Sequence, residues 1–260
     1  MNEENLKYLQ NQVFYTGFGD TLDGALKEKL EQQPETFSLE YRTEYGKDKM
    51  EAELNFSKSK KQDSDMYFFN SYRATLKREG DSEMAQRFYI NKGSNITLKE
   101  AYNLMCGRAV NKTLMNKEGE LYNAWVQMNF KQADEHGNHK LKHFHENYGY
   151  DLGAALSKHP IKELERQEYK DNLMESLKKG NAASATLARD EGGEQKVYVA
   201  ANPKFKSVTL YDTNMQRMGR MQREKQAKET KQTQKESQSP QGDDESPSTK
   251  KKTRRKAKVV

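Results

Sequence analysis

The sequence predicts an α+β fold: two or three repeated units of helix followed by antiparallel strands, with a disordered basic C-terminal tail. Three observations predict it. Apolar residues at helical spacing give way repeatedly to apolar residues in alternation. Turn signatures carrying Gly, Asn and Asp separate the alternating runs. After Met218 both patterns stop. From Gln222 the composition is Gln, Lys, Glu, Ser, Pro and Asp without an aromatic residue, and such a segment buries too little apolar surface to offset its ordering entropy.

The elements follow in order. Glu4 to Gln33 reads as helix in two pieces broken near Gly17 and Gly19; Leu22, Ala25, Leu26 and Leu30 share a face and Pro34 closes it. Phe37, Leu39 and Tyr41 alternate, Tyr45-Gly46-Lys47-Asp48 turns, and Met50, Ala52, Leu54 and Phe56 alternate again. Met66 to Leu76 completes three antiparallel strands. Leu98 to Leu114 reads as helix, with Ala101, Leu104, Met105 and Ala109 on one face. Tyr122 to Phe130 is the cleanest strand, and Lys140 to Glu146 returns after the turn Glu135-His136-Gly137-Asn138. Two helical stretches, Asp151 to Lys158 and Ile161 to Lys179, end at Gly180. Short strands are expected at Ser184 to Arg189, Lys196 to Ala200 and Ser207 to Tyr211, and Met215, Met218 and Met221 extend one more helical stripe.

The expected division is therefore residues 1–94, 95–147 and 148–218 as three units and 219–260 as the tail. One fragment argues for duplication: Phe18-Gly19-Asp20-Thr21-Leu22-Asp23-Gly24-Ala25-Leu26 aligns with Tyr148-Gly149-Tyr150-Asp151-Leu152-Gly153-Ala154-Ala155-Leu156.

Charge is distributed unevenly. Gly219 to Val260 holds 13 of the 45 Lys and Arg and 6 of the 39 Asp and Glu, a net of +7, which leaves −1 for the first 218 residues. Lys250, Lys251, Lys252, Arg254, Arg255, Lys256 and Lys258 lie within nine residues. Such a block repels itself and attracts polyanions, so these seven are the candidate nucleic-acid-binding residues. With no aromatic among them, they would grip phosphates without reading sequence. The alternative is a tail that only solubilises.

The remaining motifs are weaker. Four of the five histidines, His136, His139, His143 and His145, fall within ten residues. On a strand His143 and His145 share a face, the His-hydrophobic-His arrangement with which relaxases and replication initiators hold a divalent metal; His139, His143 and His145 are the candidate ligands, and Tyr148, Tyr150 and Tyr169 the candidate nucleophiles. Flanking Lys140 and Lys142 argue instead for an exposed hairpin, so the expectation is no metal, no cofactor and no catalytic residue. The run Tyr67-Phe68-Phe69-Asn70-Ser71-Tyr72 puts aromatics on both strand faces, and Trp125 stands in a polar row between Asn123 and Gln127. Tyr67, Phe69 and Trp125 are the candidate interface residues. The single cysteine, Cys106, excludes an intrachain disulfide and is expected to pack as a small apolar group. The start, Met1-Asn2-Glu3-Glu4-Asn5, is acidic, and no run approaches the length that spans a bilayer, so a cytoplasmic protein with no membrane partner and no evident small-molecule substrate is expected.

Three stretches carry a family resemblance: Leu98 to Lys112, Tyr122-Asn123-Ala124-Trp125-Val126-Gln127-Met128, and Asn147 to Leu152 with Lys158-His159-Pro160-Ile161-Lys162-Glu163-Leu164. The closing Ala201-Asn202-Pro203-Lys204-Phe205-Lys206-Ser207, Tyr211-Asp212 and the Lys/Arg-rich end fit as well. Over roughly Asn5 to Asp212 the chain resembles the uncharacterised domain of Bacteroidetes proteins encoded on conjugative transposons and related mobile elements, some of them beside or fused to topoisomerase-like proteins. The resemblance implies a setting of DNA transfer or maintenance, with another mobile-element protein as partner, and supplies no catalytic residues. Three functions remain open: a non-enzymatic accessory protein with a nucleic-acid-binding tail, a metal-dependent nicking or strand-transfer enzyme centred on His143 and His145, and a protein-interaction module.

Overall fold

The computed structural model describes residues 2–62, 64–90, 95–189 and 192–219. It is an α+β protein with three antiparallel sheets, and residues 1–217 form one compact unit. Tail residues Lys250, Lys251, Lys252, Arg254, Arg255, Lys256 and Lys258 lie outside the described residues.

The first helix, α1 (Glu3–Val13), passes into a π-helical turn (Phe14–Phe18) and is then broken where Gly17 adopts φ 96° and Gly19 φ 68°. Only glycine enters that region at little cost. Helix α2 (Asp23–Gln32) follows. Strands β1 (Thr36–Tyr45), β2 (Asp48–Lys58), β3 (Tyr67–Lys77) and β4 (Met84–Tyr89) form a meander in the order β1-β2-β3-β4. The fourth strand was not expected, because Met84-Ala85-Gln86-Arg87-Phe88-Tyr89 carries no clean alternation. Its inward positions are Phe88 and the polar Gln86.

The stretch expected as one long helix is divided. Helix α3 (Leu98–Met105) opens on a capping box, Thr97 with Glu100, and stops at Cys106. Gly107 turns the chain at φ 78°, and Ala109–Met115 is strand β5. Ala109 and Val110 are fully buried, so packing against β6 overrides the helical spacing. Strands β6 (Leu121–Ala133) and β7 (His139–His145) complete a second sheet in the order β5-β6-β7. Its inner residues Val110, Ala124, Val126 and Met128 share one apolar core with α1, α2, α3 and the first sheet.

The third sheet, in the order β10-β9-β8, comprises β8 (Ala183–Ala188), β9 (Glu194–Asn202) and β10 (Ser207–Tyr211). Before it, α4 (Leu152–Leu156) packs on β10 and α5 (Gln167–Lys178) on β9 and β5. The helix expected over Ile161 to Lys179 is split at Arg166, which is extended (φ −118°, ψ 124°), with a 3₁₀ turn (Lys162–Glu165) before it. No helix forms at Met215, which sits at φ 60° in a turn closed by the Tyr211–Arg217 bridge. The two fragments aligned above each place a glycine at positive φ, Gly19 and Gly149, shortly before a helix of ten and of five residues.

Two side-chain amides act as surrogate peptides. Asn5 Nδ2 donates to the Tyr67 carbonyl at 3.0 Å while the Tyr67 N–H donates to Asn5 Oδ1 at 2.7 Å, fastening α1 to the start of β3. Gln86 does the same between sheets: Nε2 donates to the His139 carbonyl at 3.3 Å and the His139 N–H donates to Oε1 at 2.7 Å. Alongside, the Arg87 N–H donates to Asn138 Oδ1 at 2.9 Å, so β4 and β7 are joined edge to edge through side chains. Both Asn5 and Gln86 are buried, where an unpaired amide would be costly.

Candidate functional site

The three sheets meet around Arg108. Gly107 sends the chain from α3 into β5 and leaves Arg108 buried at the junction. Its Nε donates to the Gly180 carbonyl at 3.0 Å and its Nη2 to Asn103 Oδ1 at 2.7 Å; Asn103 Nδ2 in turn donates to the Lys179 carbonyl at 2.8 Å. Gly180, at φ 80°, lies so close to β5 that a Cβ there would come within 2.7 Å of Val110 Cγ2. The guanidinium stacks 5.1 Å from the Tyr102 ring centroid. Among the described residues Arg108 meets no carboxylate, yet it is only 8% exposed and its charge is permanent.

Two clefts share Arg108 and Tyr211 as lining residues. The larger, about 1340 Å³, lies between the β1–β2 hairpin, α3 and the third sheet, with Tyr45, Tyr102 and Tyr198 along it. Its cations are Lys47, Arg78, Lys99 and Arg108 and its carboxylates Glu44 and Asp48. Lys99 Nζ stands 3.9 Å from the Tyr45 centroid and 4.6 Å from that of Tyr102. Burial, and then the Arg108 charge, hold this amine below its ordinary range. Burial pushes the Tyr45 hydroxyl up to about 12 and raises that of Tyr102, which donates to Asp48 Oδ2 at 2.9 Å. Cys106 lines the same cleft, and burial raises its thiol, which disfavours a nucleophilic thiolate.

The smaller cleft, about 280 Å³, lies between the second and third sheets. Five cations line it, Arg108, Lys131, Lys142, Lys204 and Arg217, and no carboxylate does. None of the five forms an ion pair with a described residue. Two aromatic rings stand at the same place, Phe130 (42% exposed) and Phe205 (62% exposed). Phe205 is carried on a 3₁₀ turn (Pro203–Phe205) with Lys204 Nζ 5.2 Å from its ring centroid.

The sequence-predicted residues are placed differently. Tyr67 and Phe69 are buried: Tyr67 donates its hydroxyl to the Pro34 carbonyl at 2.7 Å and Phe69 stacks on Phe56 at 4.9 Å, so neither offers a surface. The outward aromatic of that run is Phe68. Trp125 is also buried, edge-on to Tyr150 at 5.3 Å, and the contact it makes is internal, between the second sheet and the segment before α4. Its polar row nonetheless faces the smaller cleft, since Gln127 and Asn129 line it. Exposed aromatics occur instead at Tyr8, Phe14 and Tyr15.

The histidines do not converge with other ligands. The His143 and His145 rings are 6.4 Å apart; His143 Nδ1 lies 3.3 Å from the Tyr122 hydroxyl, and His145 stacks on the Tyr122 ring at 4.9 Å. Partial loss of hydration, then His145, hold His143 below the usual imidazole range. His139 sits apart, edge-on to Phe130 at 5.2 Å. Among the described residues no three His, Cys, Asp or Glu side chains are placed to hold a metal ion, and no helix is long and apolar enough to cross a membrane.

Comparisons place no family beside this architecture. Neither the protein-family models, the curated proteins nor the solved structures include a match to the chain.

The cationic cleft escapes a reading of the sequence because its members come from five separate places along the chain. Only Lys131 and Lys142 carry a signal, as basic residues on the two arms of one hairpin.

Proposed function

We propose that this chain is a non-enzymatic accessory protein of a bacterial mobile element that works in the cytoplasm and associates with nucleic acid. The observation that carries this reading is the partition of charge: +7 on the last 42 residues against −1 on the 218 before them. Seven Lys and Arg between Lys250 and Lys258 neutralise phosphates and release counterions, which gives affinity without sequence preference. The folded body contributes protein contacts, and the exposed Tyr8, Phe14 and Tyr15 are the surface suited to them.

The test is fluorescence anisotropy of the full chain with labelled single- and double-stranded DNA and RNA across a salt series. A log–log slope of several units, reduced when the seven tail residues become Gln, is the expected result. Binding that is absent at low salt would overturn the reading and favour a protein-interaction module.

A further inference from the structure

We propose that the smaller cleft, with Arg108 as its wall, is a track for single-stranded nucleic acid, in which Arg108, Lys131, Lys142, Lys204 and Arg217 take phosphates and Phe130 and Phe205 take bases. This deepens the nucleic-acid reading by giving the folded body a site of its own.

Charge complementarity is the first ground. Five cations and no carboxylate gather in a body whose net charge is −1, so the cleft differs in sign from the average of the body. An anionic chain is drawn to such a concentration of one sign. Arg108 is the second ground. A permanent charge with little access to water is costly to hold without a counter-ion, and its hydrogen bonds go only to the neutral oxygens of Gly180 and Asn103. A phosphate in the cleft supplies the missing charge.

Aromatic content selects the polymer. At about 280 Å³ the cleft stands at the lower end of small-molecule pockets, about 300–1,000 Å³, so the rings and not the volume choose the occupant. Phe130 and Phe205 leave ring surface in water beside the cations. Rings next to a basic track are how proteins hold unpaired bases, whose faces a duplex hides by stacking. An acidic peptide offers the charge without the planar faces.

The test uses the full chain, with anisotropy against a labelled deoxythymidine oligonucleotide and a duplex of the same length. Phe130→Ala with Phe205→Ala should weaken single-strand binding about tenfold and leave duplex binding unchanged. The milder Phe205→Leu keeps an apolar side chain without a ring face and should lose part of that preference. Changing Lys131, Lys142, Lys204 and Arg217 to Gln should lower the single-strand salt slope by about 2–3, at about 0.7 per phosphate contact. The tail reading is separated by a protein whose seven residues from Lys250 to Lys258 are Gln: it should keep its single-strand preference at lower total affinity. Complete loss of binding in that protein would overturn the track, as would ring variants that melt like the parent and retain its single-strand affinity. Displacement of the strand from the tail-neutralised protein by polyglutamate at equal charge would reassign the cleft to acidic peptides.

Discussion

Two regions of this chain concentrate positive charge by opposite means. The tail does so in sequence, with seven Lys and Arg inside nine residues and no aromatic among them. The cleft does so in space, collecting single cations from the α3–β5 junction, two strands, a 3₁₀ turn and the segment after β10, and setting them beside two rings. Adjacent charges along a chain supply attraction without discrimination. Charges fixed by separate elements acquire spacing and neighbours, and so can prefer one form of a polymer over another. The −1 of the body conceals this, because an average over 218 residues cancels the basic cleft against acidic surface elsewhere.

The comparison breaks first at the tail. Neutralising its seven residues should lower the salt slope by about 5 for single strands and about 6 for duplex, the largest effect expected, read from the anisotropy series. It should break from the other side with Gly180→Ala. A methyl group 2.7 Å from Val110 Cγ2, on a residue at φ 80°, should cost about 2–4 kcal/mol in denaturant unfolding. Because the Gly180 carbonyl holds Arg108, single-strand preference should fall while the tail's attraction persists.

Smaller effects sharpen it. The amine of Lys99 titrates below the ordinary 10.5 because of burial and of Arg108. The unfolded chain therefore keeps this proton to higher pH than the folded one, so the Lys99 contribution to stability rises with pH, against the fall that the raised Tyr45 and Tyr102 hydroxyls bring in the same range; Lys99→Gln should make the alkaline loss of stability steeper in a pH series of thermal melts. Smallest in its bearing on the comparison is Thr97→Ala. Loss of the capping box on α3 should cost about 1 kcal/mol and change neither the salt slope nor the single-strand preference.

Much of the fold was legible because its strands bury one face and alternate accordingly. Met50, Ala52, Leu54 and Phe56 all point into the core, and their period of two survives folding. The readings that failed did so where tertiary contacts outweighed local pattern. Ala109 continued a helical stripe in sequence, yet Gly107 at positive φ and full burial against β6 made it a strand. Gln86 concealed β4, since a polar residue at an inward position breaks alternation unless its amide partner is known. Trp125 looked outward by periodicity, but the segment before α4 covers that face of the second sheet with Tyr150. Of the site, only the tail could be found in sequence; Arg108 acquires its meaning from Asn103 and Gly180, one five and the other 72 residues away.

The amide of Gln86 has a consequence for how this chain can be divided. By tying β4 to β7 across 53 residues of sequence, it makes the rim of the first sheet the inner seam of a larger structure. Cut the polypeptide between residues 94 and 95 and that seam becomes an open template of hydrogen-bonding groups, ready to recruit another strand and grow into an aggregate. Modular though the order of its helices and strands looks, a cut at that boundary therefore opens a seam instead of freeing a unit.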